Sequence, residues 1–170
     1  MSAPTREHRR AAEGMSAACA VLTVSDTRTL ETDEGGRRIV DALEAGGHRV
    51  VERVLVPDDP TEIDARLHRW IVSEGAEVIV TTGGTGISRR DTTVEVVERL
   101  LDKRLDGFGE LFRMLSYREV GAAAMLSRAV AGLAERTALF ALPGSAAAVR
   151  LALDELILPE LPHLLRELRR

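Results

Sequence analysis

The residues best suited to chemistry lie in the stretch VIVTTGGTGISRRD, Val78 to Asp91, where an aliphatic run breaks into Thr82, Gly83, Gly84, Thr85 and Gly86 and then reaches Arg89, Arg90 and Asp91. Glycines allow positive φ angles and close backbone approach, so successive N–H groups can turn toward one bound anion. That is phosphate chemistry. The loop lacks the Gly-Lys-Ser/Thr ending of a Walker A sequence and is not G-x-G-x-x-G either. Arg89 and Arg90 either neutralise phosphate or are solvated. Asp58 follows a second apolar run, and two carboxylates near an anion cradle suit Mg²⁺, which takes oxygen ligands and bridges to substrate phosphates.

Both aspartates also have a structural reading as helix caps. In DPTE, Asp59 to Glu62, Asp59 is placed to cap, Pro60 to occupy the first helical position and Glu62 to stand three residues after the cap, which leaves Asp58 spare. Thr92-x-x-Glu95 forms a similar box, leaving Asp91 spare unless the register shifts by one and makes Asp91 the cap.

These residues need a scaffold, and the apolar pattern supplies one. Strands are expected over Ala18 to Ser25, Arg49 to Val56, Glu77 to Thr82 and Thr137 to Leu142. Helix-period stripes run through Ile63, Leu67, Trp70 and Ile71, through Val149, Ala152, Leu153 and Leu156, and through Leu161, Leu164, Leu165 and Leu168. Short apolar runs alternating with such stripes describe an α/β fold, a parallel sheet wrapped by helices. Ligands of such sheets bind beyond the carboxyl ends of the strands. There the sequence places Ser25 and Asp26, Pro57 and Asp58, the glycine loop, and Pro143, Gly144 and Ser145. Trp70 and Met125 are read as core.

Composition excludes several classes of function. The chain has 170 residues, 45% of them hydrophobic and 3% aromatic, enough for one domain over 15–170 behind a disordered tail at 1–14. A net charge of −4 argues against coating nucleic acid. One cysteine, Cys19, allows neither a disulfide framework nor a zinc site of several thiolates, and a reducing cytoplasm fits. No run is long enough for a membrane span, and the polar start is unlike a signal peptide.

The segments TVSDTR, TTGGTGISRRDTT, DGFGELFRMLSYREVG, LSRAVAG and LFALPGS follow one another in an order and spacing that resemble the MogA/MoaB family of molybdenum cofactor biosynthesis proteins, related in fold to the gephyrin G domain. The resemblance spans Ala17 to His163. GFGELFRMLSYREVGAAAMLSRAVAG is closer to the MoaB branch, whereas Arg90-Asp91 is similar to MogA. Arg90-Asp91-Thr92-Thr93 departs mildly from the family's Arg-Asp-Val-Thr.

The resemblance implies a three-layer α/β/α fold with a mostly parallel sheet. It also implies a nucleotidyltransferase that uses ATP and Mg²⁺ to adenylylate molybdopterin, releasing pyrophosphate. Its functional aspartates fall on Asp58 and Asp91, the implied metal ligands. Its substrate-binding positions fall on Ser25, Asp26, Thr82, Gly83, Gly84, Thr85, Gly86, Glu110, Ser116, Pro143, Gly144 and Ser145. A homotrimer, its further assembly into a hexamer, and contact with a molybdate-inserting protein are implied as well. The segment around Phe108, Leu111, Phe112 and Leu115 serves either interface or core. Two other readings stand beside the enzyme. One is a non-catalytic, oligomeric molybdopterin-binding scaffold; the other, a Rossmann-like reductase, is opposed by the missing G-x-G-x-x-G.

Overall fold

The computed structural model describes residues 14–73 and 75–170. The tail expected at 1–14 therefore lies, except for Gly14, outside the described residues. The expected aliphatic runs form β1 (Ala18–Val24), β2 (Arg49–Val56), β3 (Val78–Thr82) and, later in the chain, β6 (Thr137–Leu142). Between β3 and β6 lie two strands that apolar patterning does not announce, β4 (Lys103–Arg104) and β5 (Val130–Ala134). The sheet order is β2-β1-β3-β6-β5-β4. β2, β1, β3 and β6 are parallel, β5 is antiparallel to β6, and β4 is antiparallel to β5. The sheet is thus mostly parallel, with an antiparallel edge.

Alternation along the central strands divides the core between the two faces of the sheet. Cys19, Val21, Val78 and Val80 pack on one side with residues of α1 (Glu34–Ala45), α4 (Asp106–Val120), α5 (Ala146–Ala152) and α6 (Leu158–Leu168). Ala20, Leu22 and Ile79 pack on the other with residues of α2 (Pro60–Val72) and α3 (Thr93–Leu100). This is the expected three-layer α/β/α arrangement. A single turn of π-helix, Leu153–Ile157, joins α5 to α6.

The helical stripes are buried as their spacing requires. Ile63, Leu67 and Trp70 are fully inaccessible, as are Val149, Ala152, Leu161 and Leu165. Burying a large apolar side chain contributes about 1.5–3 kcal/mol, so these stripes hold the helices to the sheet. Trp70 also satisfies its indole N–H on Glu52 Oε2 at 2.8 Å. Met125 is different: it is 78% exposed on a 3₁₀ segment, Gly121–Leu126, and does not belong to the core. The segment around Phe108 divides, with Phe108 and Phe112 buried, Leu115 half-buried and Leu111 exposed.

The chain leaves β1 for β2 on one side and returns to place β3 on the other side of β1. That reversal opens a crevice at the carboxyl ends of β1 and β3, the place where open α/β sheets take ligands.

Candidate functional site

The glycine loop begins where β3 ends, and its first residues are fastened to neighbouring strands. Thr82 Oγ1 donates to the Pro143 carbonyl at 3.1 Å, and Gly83 N–H donates to the Leu142 carbonyl at 3.1 Å. Gly83 has φ +97° and lies against the Val24 carbonyl so closely that a Cβ would collide with it. Gly84 has φ +62°, and a Cβ there would run into Thr93 Oγ1 and stand 3.2 Å from Asp58 Oδ1. Only glycine meets both the conformation and the spacing at these two positions.

Beyond this anchor, the loop offers donors. Among the described residues, the amides of Gly84, Thr85 and Gly86 find no protein acceptor. These three residues line a cavity of about 410 Å³ together with Gly83, Asp91, Ser116, Pro143, Gly144 and Ser145. The wall contributed by Phe112, Val120, Ala124, Leu126 and Leu151 is apolar. Unpaired backbone donors beside an apolar wall suit a ligand with a phosphate at one end and an organic ring at the other.

The carboxylates stand beside this loop. Asp59 caps α2 through Thr61 N–H at 2.7 Å, with Pro60 in the first turn, so Asp58 is indeed spare. One oxygen of Asp58, Oδ1, is buried without a hydrogen-bond partner, and so are the hydroxyls of Thr92 and Thr93. Burial pushes the Asp58 carboxyl above the ordinary aspartate range, and the nearby charges of Asp91 and Asp26 push it the same way; the Thr92 amide and Arg90 oppose them in part. Asp26 accepts the Asp58 N–H at 3.1 Å and pairs with Arg90 at 2.7 Å. The first-strand motif is therefore linked to the second-strand aspartate and to the loop. Ser25 Oγ, by contrast, accepts the N–H groups of Thr27 at 3.3 Å and Arg28 at 3.2 Å, shaping its own turn.

Asp91 accepts the Ser88 N–H at 2.8 Å and so closes the glycine loop on itself. The capping box expected at α3 does not form. Thr92 occupies the cap position without a side-chain hydrogen bond, and Glu95 turns away to pair with Arg128. Asp91 does not replace Thr92 as the cap. The open choice between cap and site thus resolves against the cap.

Of two other expected site residues, one lies apart from the cavity and one lines it. Glu110 is exposed and lines a separate recess with Arg104, Asp106 and Arg113; α4 carries it away from the cavity that Ser116 reaches. Ser145 lines the cavity but also caps α5, accepting the Ala148 N–H at 3.2 Å. Arg128 is the residue that motif reading missed. Its Nε donates to the Thr85 carbonyl at 3.2 Å and its Nη2 to the Asp91 carbonyl at 2.9 Å. The quoted LSRAVAG segment contains Arg128, yet nothing local to that segment announces its partners.

Mg²⁺ fits the donor set in one specific respect. Among the described residues, no cluster of three or more His, Cys, Asp or Glu side chains could hold a metal unaided. Mg²⁺ commonly uses one or two carboxylates and completes its shell with water and substrate phosphate. The partnerless oxygen of Asp58, close to Asp91 and to the unpaired loop amides, matches that pattern.

Comparison with known proteins agrees with this geometry. A family model described as "Probable molybdopterin binding domain" matches residues 20–163. A Bacillus cereus protein named "Molybdenum cofactor biosynthesis protein B" is 49% identical over 153 residues, covering 89% of this chain and 90% of its own length. A crystal structure bearing that same protein name superposes with a TM-score of 0.89 at 47% identity, covering 92% of this chain and 98% of the other. A solved MogA structure gives a TM-score of 0.81 at 34% identity, over 89% of this chain and 99% of its own. The chain belongs to the MoaB/MogA family of molybdenum cofactor biosynthesis proteins. Its likeness to that protein B structure is greater than to MogA.

Proposed function

We propose that this protein is a molybdopterin adenylyltransferase, which joins the terminal phosphate of molybdopterin to the AMP moiety of ATP. A phosphate oxygen of the pterin attacks the α-phosphorus of ATP, the bond to the β-phosphate oxygen breaks, and pyrophosphate leaves. The observation that carries this reading is the meeting of Asp58, with its partnerless buried oxygen, with a loop whose Gly84, Thr85 and Gly86 amides lack protein acceptors. Such a site can orient two anionic reactants and stabilise charge without a protein nucleophile. The loop amides would receive phosphate oxygens, and the apolar wall would seat a ring. Asp58 and Asp91 would hold Mg²⁺, which would neutralise phosphate charge during transfer.

The test is incubation with molybdopterin, Mg²⁺ and α-labelled ATP. Labelled adenylyl-molybdopterin together with one equivalent of pyrophosphate is expected. Molybdopterin binding without label transfer would make the protein a non-catalytic scaffold of the same pathway.

The reading includes a homotrimer and its assembly into a hexamer. It is supported by an exposed apolar row on α4, Leu111, Met114, Tyr117 and Val120, which is continued by Met125 and Leu126. The reading also includes contact with a molybdate-inserting protein and cytoplasmic residence. Among the described residues, no helix is long and apolar enough to cross a membrane.

A further inference from the structure

We infer that Arg128 is the positioning residue of the glycine loop, one guanidinium that ties down the loop's far portion so that its amides stay arrayed for a phosphate. This deepens the nucleotide-binding reading above and rests on it.

The sheet secures only the near end of the loop. Thr82 and Gly83 are held by Pro143 and Leu142, and the Gly84 carbonyl accepts the Thr93 N–H at 3.0 Å. From Thr85 to Asp91 the hydrogen bonds between Ser88 and Asp91 are internal and fix nothing to the rest of the fold. Among the described residues, two side-chain links lead outward. One is the pair between Arg90 and Asp26, in which the Arg90 side chain is 70% exposed; pairs so open to solvent constrain little. The other is Arg128.

Arg128 lies two residues before β5, close to where the chain enters the sheet, and its side chain is 28% exposed. Its Nε reaches the Thr85 carbonyl, its Nη2 the Asp91 carbonyl and its Nη1 the carboxylate of Glu95 in the first turn of α3. Three nitrogens of one plane therefore fix the start of the loop's far portion, its end, and the helix that follows. Charged donors to carbonyls are stronger than neutral ones. Because Glu95 already answers its charge, Arg128 acts through the loop and not as a phosphate ligand. Lysine cannot replace it, since a point-like ammonium has no planar fork to span three acceptors.

The experiment uses the full chain with Arg128→Ala and Arg128→Lys. It reads amide hydrogen exchange at Ser88 and Asp91, the loop positions whose N–H groups are hydrogen-bonded, against exchange in α6, and the dissociation constant of Mg·ATP by calorimetry. Loop exchange is expected to accelerate roughly tenfold or more in Arg128→Ala while α6 is unchanged, with Mg·ATP affinity falling by a similar factor. Arg128→Lys should recover little of either, and millimolar guanidinium should restore much of both to Arg128→Ala. Should Arg128→Ala not fold, Arg128→Lys carries the same comparison. Unchanged loop exchange in a folded variant overturns the inference, as does acceleration shared equally by α6, which would mark a merely structural residue. If the wild-type protein does not bind Mg·ATP but loop exchange still rises on substitution, the positioning role stands and the nucleotide reading falls.

Discussion

Asp58 gives its backbone N–H to Asp26 Oδ1 at 3.1 Å, so the ends of β2 and β1 are joined through two aspartates, neither of which caps a helix. The bond orients the Asp58 backbone and leaves its carboxylate free of helix capping, with the Thr92 amide beside it. Asp58→Asn is therefore expected to change stability by less than about 1 kcal/mol, the usual cost of losing a cap. The sign favours the variant: an acid whose folded pKa is raised is penalised once pH exceeds its unfolded value, and asparagine carries no such penalty. Adenylyl transfer, in contrast, should fall by roughly two orders of magnitude, the scale of removing one electrostatic stabiliser. Chemical denaturation at neutral pH, set beside a label-transfer assay, reads both quantities.

Asp91→Asn separates ligand from loop fastener. Asparagine can still accept the Ser88 N–H through its amide oxygen, so the turn that Asp91 closes should persist. Turnover is expected to drop by about two orders of magnitude or more, because a neutral amide is a poor partner for Mg²⁺ and for phosphate charge. Molybdopterin binding should survive within a few-fold. A variant with full turnover would show that Asp91 contributes geometry alone.

β1, β3 and β6 were legible because each is an apolar run buried on both faces, and β2, a half-buried edge strand, because valines and a leucine recur between its charged residues; their ends located the rim of the site. β4 and β5 were not. Lys103 and Arg104 are exposed edge residues, and Gly132 interrupts the apolar pattern of β5, so their pairing is decided by tertiary position. The two aspartates show how far capping rules reach. Asp59 caps as its local sequence dictates, whereas Thr92 and Glu95 match the box and do not form it, since Glu95 meets an arginine 33 residues away. That distance is also why Arg128 escaped notice. Glu110 came from family resemblance alone, and the turn of α4 places it on another face.

The exposed row on α4 predicts an assembly defect. Tyr117 is 63% exposed on a helix whose neighbouring positions Met114 and Val120 are also apolar and exposed. Tyr117→Glu would place a charge in a desolvated contact if that row is the subunit interface, and unpaired buried charge costs several kcal/mol. Sedimentation should show the proposed trimer shifting to monomer over at least a tenfold range of concentration. A trimer as tight as the wild type would move the interface elsewhere.

Acid should weaken the fold in part through two residues far from the site, which act in different pH ranges. His48 Nδ1 accepts the Ala17 N–H at 3.3 Å, which requires an unprotonated nitrogen, and burial pushes the His48 pKa down. The unfolded chain therefore binds this proton first, and stability is lost as pH falls below the ordinary histidine value of 6.5 toward the depressed folded one. Glu77 acts lower. Arg169 donates to both its oxygens, at 2.7 and 2.9 Å, and holds its carboxyl below the ordinary value of 4.5. That contribution is complete above the unfolded pKa and disappears as pH falls through the folded one. His48→Gln should flatten a stability-against-pH curve in the higher of these ranges, and Arg169→Ala in the lower; Arg169→Ala should cost about 1 kcal/mol at pH 7 and little at pH 3.

Gly84 and Thr93 test whether the crowding of the loop against α3 is as specific as the geometry requires. A Cβ at Gly84 would meet Thr93 Oγ1 inside contact distance, and Thr93 Oγ1 is itself buried without a hydrogen-bond partner. Gly84→Ala should then carry two separable costs: about 1–2 kcal/mol for a left-handed alanine and about 1–3 kcal/mol for overpacking. Thr93→Ala removes the obstructing hydroxyl without breaking a hydrogen bond, so in that background Gly84→Ala should cost the conformational part plus a smaller steric remainder from Asp58 Oδ1 at 3.2 Å and the residue 93 Cβ at 3.3 Å. The double variant is expected to be more stable than the sum of the single changes predicts by about 1 kcal/mol or more, a coupling that a denaturation cycle measures directly. Phosphate-ligand affinity should stay low in the double variant, because the added methyl still stands near Asp58 Oδ1. Strict additivity would mean that the loop and helix relax apart, and that the close approach of Gly84 to Thr93 is not what demands glycine at this position.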